Sequence, residues 1–581
     1  SISAGNSAYF GNGFYYPYAS NPDYGVVGSP GVSYESLQVA SYENSYLETD
    51  ALVYSINGDE TKAMFLSASD SHPDEYLQKT FEVVYAGIGE TSDFKGKNLE
   101  GKYALVQRGS ISFVDKALNA QNAGAAGVII YNNTDGIVNM ASDPSITIPQ
   151  LFMLKVDGDR LAAALQNGQN VTVTFNGDKT SIVNTDAGKM SDFSSWGVTP
   201  NLDFKPEITA PGGDILSTVN NNQYAVMSGT SMAAPHVSGG AALVLERVDK
   251  EFSVGRTAER VQMAKNLLMN TAKVITFEGE YVSPRNQGAG LMQLNAALST
   301  PVIVTDPTTN EGKVALKEVK GNTVTFQLTA TNYSNTEVTY NVSANAQTDF
   351  PYNSIVAPGI LPAFNLNNAA KVQLDGETVT SIQIPAQGSV TFDVTVDVSQ
   401  YNSYLSSSFT NGYWLEGFVT LTDPTDTYPT LSVPYVGFKG EWDDAPVFDS
   451  PVWEPDSFYE ITNLLSSMED GYYFLGDDPE ELYFSPNGDG IFDEVLPLVS
   501  FLRNAKQVTV SVLDENKNPL RTIRTDNYIR KNYYDGGRSS YYTLKPNWAW
   551  DGTVNGKVVE DGQYYLQLVG VIDYEGAEPD T

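Results

Sequence analysis

A run rich in Ala, Val and Leu extends from Met232 to about Phe252 and predicts a buried helix. A second helical pattern covers roughly 257–271. Further upstream, an apolar stretch at 101–109 is followed by an Ala-bearing segment from Phe113, a Gly turn and a second apolar stretch at 123–132. That order predicts a βαβ-like unit, continued by 148–151 and 157–161. From Thr300 the period changes. Short alternating segments such as 314–317, 323–332, 394–398 and 415–421 are separated by Gly, Pro, Asn and Asp. They predict β-sandwiches, one closing near Trp442 and another beginning near Pro451. No repeat of 20–50 residues is evident.

Composition narrows the class of molecule. The 581 residues exceed one hydrophobic core, so about three to five domains are expected. Apolar residues make up 41% and aromatics 11%, which favours folded material over disorder. With 34 basic against 70 acidic residues the net charge is −36, which argues against a nucleic-acid partner and for solubility outside the cell. There is no cysteine, so disulfides and Cys-ligated zinc are excluded. Every apolar run falls short of the roughly 18 residues that a membrane span requires. An acidic, Cys-free chain of this size fits a Gram-positive exoprotein. No signal peptide precedes Ser1, and Ser1-Ile2-Ser3-Ala4-Gly5-Asn6 reads as the end of a buried strand. An upstream piece, cut away or held separately, is therefore expected.

The candidate chemistry centres on Gly229-Thr230-Ser231-Met232-Ala233-Ala234-Pro235-His236. A serine behind Gly-Thr and ahead of a helical pattern puts a hydroxyl at a helix N-terminus. Free backbone N–H groups and the positive helix end can stabilise an oxyanion there. A bare Gly-Thr-Ser is also a helix-capping turn, so the flanks decide. Ser191-Asp192-Phe193-Ser194-Ser195-Trp196-Gly197 and Lys205-Pro206-Glu207-Ile208-Thr209-Ala210-Pro211-Gly212 precede it, and 287–292 follows. In that order the segment resembles the nucleophile half of the subtilisin-like serine proteases, the subtilases. The resemblance implies Ser231 as nucleophile, with Thr230 supporting the turn. Ser3-Ala4-Gly5-Asn6-Ser7 resembles the family's oxyanion-asparagine motif, implying Asn6 and the Ser231 amide as oxyanion donors. Ser3, Ala4, Gly5, Gly28 and Gly229 are expected to border the substrate.

A nucleophilic serine needs a base and a group that orients it. The chain has two histidines. His236 lies five residues beyond Ser231 on the same helix and reads as a packed helix residue. His72, in Ser71-His72-Pro73-Asp74, sits in a polar loop without the Gly-Thr-His-Val context of a subtilase base. No Asp-Ser-Gly or Asp-Thr-Gly segment on a strand is present. In the family these motifs precede the oxyanion asparagine. The expected partner is thus an N-terminal fragment of the same protease carrying Asp and His, either bound after processing or deleted. Alone, the polypeptide is expected to hydrolyse peptides poorly.

About 150 residues between Ala40 and Phe193 resemble a protease-associated (PA) insert, as in cell-envelope subtilases of the lactocepin and C5a-peptidase type. Such an insert is read as a substrate gate or as a passive domain. The segment 434–442 resembles the close of a fibronectin type III-like domain. In the second sandwich, oxygen ligands alternate along the Gly-bent loop 485–494. Asn487, Asp489, Ile491 and Asp493 are expected to hold a structural calcium ion there; an acidic turn is the other reading, since EF-hand spacing is lacking. The expected fold class is multidomain. An incomplete α/β subtilisin-like parallel-sheet peptidase half carries an α+β PA insert and precedes two all-β fibronectin-III/Ig-like sandwiches. The expected boundaries are 1–46, 47–185 (core about 80–178), 186–300, 301–440 and 441–581. The expected function is a secreted or cell-envelope serine endopeptidase acting on proteins or peptides without an organic cofactor. The alternative is a non-catalytic surface adhesion or scaffold protein that binds partners through its PA and sandwich domains.

Overall fold

The computed structural model describes residues 1–11, 15–252, 254–535 and 539–580. They form two compact units: 1–42 with 189–213 and 228–581, and 43–188 with 214–227. The hairpin Ile215–Val219/Gln223–Met227 is thus grouped with the second unit and not with the residues flanking it.

The first unit begins with a three-stranded sheet in the order Ile2–Ser3, Gln38–Glu43, Ile208–Gly213, the first two strands parallel. The helix Thr230–Glu251 packs on it. Its inward positions Ala233, Val237, Gly240, Val244 and Val248 recur every three or four residues, the stripe a one-sided helix needs. They meet Val39, Ile208 and Ala210 of the sheet and Leu267 and Leu268 of the helix Ala258–Asn270. His236 and Leu243 point the other way and are exposed.

Two sheets follow in the same unit. One has five strands, in the order Val302–Thr305, Thr323–Asn332, Ser389–Asp397, Ala370–Leu374, Glu377–Thr378. The other is built on Val314–Val319, Leu431–Lys439, Tyr413–Thr422, Val338–Ala344 and Ser381–Ile384. Leu328, Ala330, Val394 and Val396 of the first meet Tyr340, Val419 and Tyr435 of the second in one core. The β-branched alternation along these strands suits a face that is half buried. Beyond Trp442 a second pair of sheets forms. Gly471–Phe474, Asn463–Met468, Leu496–Val499 and Thr543–Leu544 make one, and Pro519–Ile529, Ala505–Leu513 and Tyr565–Ile572 the other.

The second unit is a closed barrel. Strand Tyr103–Gln107, helix Phe113–Asn122 and strand Gly127–Tyr131 form a parallel βαβ element within it. Leu52, Tyr54, Phe65, Phe81, Tyr103 and Phe175 share one of its cores.

Buried charges join the pieces of the first unit. Arg285, in the short helix Pro284–Gln287, is 0% exposed. Its Nε donates to Glu416 Oε2 at 2.7 Å, its Nη2 to Asp349 Oδ1 at 2.7 Å, and its Nη1 to the Tyr24 hydroxyl. The guanidinium lies 4.6 Å from the Trp414 ring centroid and 5.6 Å from that of Trp196. Burial would lower the guanidinium pKa, yet Asp349 and Glu416 drive it well above its ordinary value. Farther along, Asp23 accepts from Lys531 Nζ at 2.9 Å and Arg503 Nε at 3.2 Å. Burial alone would raise the Asp23 pKa, but the two cations hold it below the usual carboxylate value.

Replacing Arg285 by Ala strands two buried carboxylates, so the unfolding free energy in denaturant titration should fall by about 3–5 kcal/mol. Asp449 tests the opposite sign. Burial pushes its carboxyl up from 3.8 to about 6, although the Phe458 and Tyr459 amides donate to it. The folded state therefore holds the proton more tightly than the unfolded chain. The resulting stabilisation is complete below 3.8 and is lost as the pH rises through about 6. Measured against Asp449→Asn over this window, the protein should lose on the order of 2–3 kcal/mol that the variant does not.

Candidate active site

Gly229 ends the approach to the helix with φ +152°, a left-handed-side value that disfavours any side chain. A Cβ there would stand 3.1 Å from Asn6 Nδ2, so glycine lets the carboxamide come close. Thr230 and Ser231 follow in the first turn, where backbone amides lack intrahelical acceptors. Thr230 is buried and Ser231 is exposed. Pro235, four residues on, has no N–H to offer the Ser231 carbonyl.

Asn6 reaches this turn from the other end of the chain. Its Oδ1 accepts from the Thr230 amide at 2.9 Å and from Thr230 Oγ1 at 2.8 Å. Because both partners donate, the acceptor must be the oxygen, and Nδ2 is left as a donor beside Gly229. Thr230 Oγ1 in turn accepts from the Gly5 amide at 3.1 Å. Gly5 has φ +113°, and a Cβ there would meet Ser195 Oγ at 2.8 Å. Ser195 fixes the loop from below: its amide donates to the Gly5 carbonyl at 3.0 Å, and its Oγ accepts from the Ser7 amide at 3.1 Å.

The expected substrate-bordering residues lie on the same framework. Ile2 and Ser3 pair with Gln38 and Val39, the Ala4 amide donates to the Val39 carbonyl, and the Gly28 amide donates to the Ala4 carbonyl. Residues 3–6, 28 and 229–231 therefore come together around one backbone crossing. Sequence reading overlooked the supports beneath it. Glu207, 1% exposed, accepts from the Gln38 amide at 2.6 Å and from Lys205 Nζ at 2.6 Å and Lys313 Nζ at 2.9 Å. Burial pulls the Lys205 ammonium below its usual pKa. Lys205 and Glu207, two charged residues at the start of the landmark 205–212, are the signal that would have exposed this pair. Arg285 had no such flag.

Among the described residues, the recorded contacts of neither histidine reach Ser231. His72 Nε2 lies 3.5 Å from Asp50 and Nδ1 3.6 Å from Asp74, and the ring caps the turn Pro73–Glu75. His236 was expected to pack inside. Instead it is exposed, with Nδ1 2.9 Å from the Met232 carbonyl, because the inward stripe runs through Ala233, Val237 and Gly240.

The expected calcium loop is closed on itself. Asp493 accepts from the Gly488 and Gly490 amides at 2.6 and 2.7 Å, Asn487 Oδ1 from the Asp489 amide, and Asp489 Oδ1 from the Ile491 amide. These bonds bend the loop and leave lone pairs on each of the oxygens. Among the described residues, the acidic side chains that gather within metal-sharing distance are Glu318, Glu441 and Asp443.

Residues 1–290 match the model of the subtilase family, and residues 314–436 match that of an Fn3-like domain. The C5a peptidase of Streptococcus pyogenes serotype M1 is 31% identical across 97% of this chain and 52% of its own length. The PII-type proteinase of Lactococcus lactis subsp. cremoris is 32% identical across 98% of this chain and 32% of its own. The chain thus spans about half the length of the former and a third of the latter. Among solved structures, the aminopeptidase from Aneurinibacillus sp. strain AM-1 is 33% identical over 25% of this chain and 39% of its own, with a TM-score of 0.19, too low to bear on the fold. On the family match over its first half, with the active-site order found above, the chain belongs to the subtilase family and carries an Fn3-like domain behind its subtilase domain.

Proposed function

We propose that this chain is the nucleophile-bearing part of a secreted or cell-envelope serine endopeptidase that cleaves proteins or peptides. The observation that carries the reading is the anchoring of Asn6. With Oδ1 tied to Thr230, its Nδ2 donor is held next to Gly229, two residues before the exposed Ser231.

In the proposed reaction Ser231 Oγ attacks the scissile carbonyl carbon while an imidazole takes its proton. The oxyanion accepts from Asn6 Nδ2 and the Ser231 amide. Collapse breaks the C–N bond, the proton passes to the leaving amine, and water releases the acyl group from Ser231. The imidazole and its Asp orienter come from an upstream segment or a separate processed chain, since His72 and His236 have the engagements described above. A calcium ion at Asn487, Asp489, Ile491 and Asp493 would be structural and takes no part in these steps.

A serine-directed phosphonate separates this enzyme from an adhesion or scaffold protein. Labelling of Ser231 should be slow in the chain alone and accelerate when the Asp/His fragment is supplied; no acceleration overturns the reading. In the assembled protease, Asn6→Ala should lower kcat by roughly 100- to 1,000-fold with KM little changed, the size usual for one lost oxyanion donor.

A further inference from the structure

The oxyanion donor of the proposed reaction sits on a loop, so its aim depends on what holds that loop. Asn6 follows the strand Ile2–Ser3 and is exposed. Because peptide groups are planar, the backbone at Asn6 has two free rotations. One turns it against the Gly5–Asn6 peptide, the other against the Asn6–Ser7 peptide. Nδ2 keeps a fixed position only when both peptides are held.

One buried residue holds both. The Ser195 amide donates to the Gly5 carbonyl at 3.0 Å, which fixes the peptide before Asn6. Ser195 Oγ accepts from the Ser7 amide at 3.1 Å, which fixes the peptide after it. Elsewhere along the same two segments backbone meets backbone: the Ala8 amide donates to the Phe193 carbonyl at 2.9 Å, and the Trp196 amide to the Ala8 carbonyl at 2.8 Å. At Ser7 a hydroxyl takes the place that a carbonyl fills in those pairs. Unlike a carbonyl, it can be removed by substitution.

Thr230 supplies the remaining constraint, since its amide and hydroxyl both donate to Asn6 Oδ1 and so set the side-chain torsions. We propose, on the protease reading above, that Ser195 is a positioning residue for the oxyanion donor. Its hydroxyl sets the Asn6 backbone torsion that aims Nδ2, without touching substrate itself. The neighbouring Ser194 is equally buried, and its Oγ also accepts a backbone amide, from Ser41 at 3.0 Å. Ser41 lies in the strand Gln38–Glu43, and the bond reaches neither peptide of Asn6. Ser194 thus matches Ser195 in burial and bond type but has no hold on the donor.

In the assembled protease, kcat is counted per active site titrated with the phosphonate, so unfolded material drops out. Ser195→Ala should lower kcat about 10- to 100-fold with KM little changed, the size expected of a displaced donor. Repeated on Asn6→Ala, the same change should cost less than about threefold, because no donor is left to aim. Ser194→Ala should keep kcat within about threefold of the unsubstituted enzyme, even where it lowers the melting temperature as much as Ser195→Ala does. Ser195→Cys, close in shape but a weaker acceptor, should lose about three- to tenfold, and it carries the test if the alanine variant gives no titratable sites. An equal loss with and without Asn6, an equal loss in Ser194→Ala, a change confined to KM, or an unchanged kcat in both Ser195 variants overturns the proposal while the protease reading stands. An unsubstituted assembly that cleaves no peptide overturns that reading, and this one with it.

Discussion

A guanidinium taken out of water sets the geometry of the first unit. Desolvating Arg285 costs several kcal/mol unless each N–H meets an acceptor, and here the acceptors come from distant strands and loops. Glu416 lies in the middle of a sandwich strand, Asp349 just beyond another, and Tyr24 in the loop that follows Asn6. The observed placement of the Fn3-like domain satisfies all three. The Arg285 carbonyl accepts the Gly197 amide at 2.7 Å, and the Trp196 carbonyl accepts the Val26 and Val27 amides. The same residue thus ties the sandwich to the backbone that supports Gly5 and Gly28.

The active-site crossing inherits that rigidity. Asn6 and Thr230 are 224 positions apart, and no local preference holds them together. Their contact needs the parallel pairing of Ile2 and Ser3, the close approach allowed at Gly5 and Gly229, and a serine at 195 to receive the Ser7 amide. Each is a short-range requirement, and each fails if the sheet shifts by one residue. The oxyanion donor is therefore positioned by backbone packing, with its own oxygen committed to Thr230.

The sandwiches use charge differently at their junctions and on their surfaces. Burial pulls the Lys531 and Arg503 cations below their usual pKa values against the opposing effect of Asp23, whose carboxyl the two cations together hold below its own. Between Lys439 and Arg503 the sequence holds acidic residues but no lysine or arginine.

What the residues alone determined was order and periodicity. The small-residue helix after Ser231 appears as Thr230–Glu251, and the alternating strands after Thr300 appear as paired sheets, because both patterns are local consequences of which face must be buried. The motif order around Ser231 and Asn6 was equally legible, since each glycine and polar residue there answers a backbone need at its own position. Tertiary structure alone decided the rest. It brought Asn6 to Thr230 and Arg285 to Glu416. Those outcomes depend on which surfaces meet across hundreds of residues, and pairwise meeting at that range leaves no periodic trace in the chain.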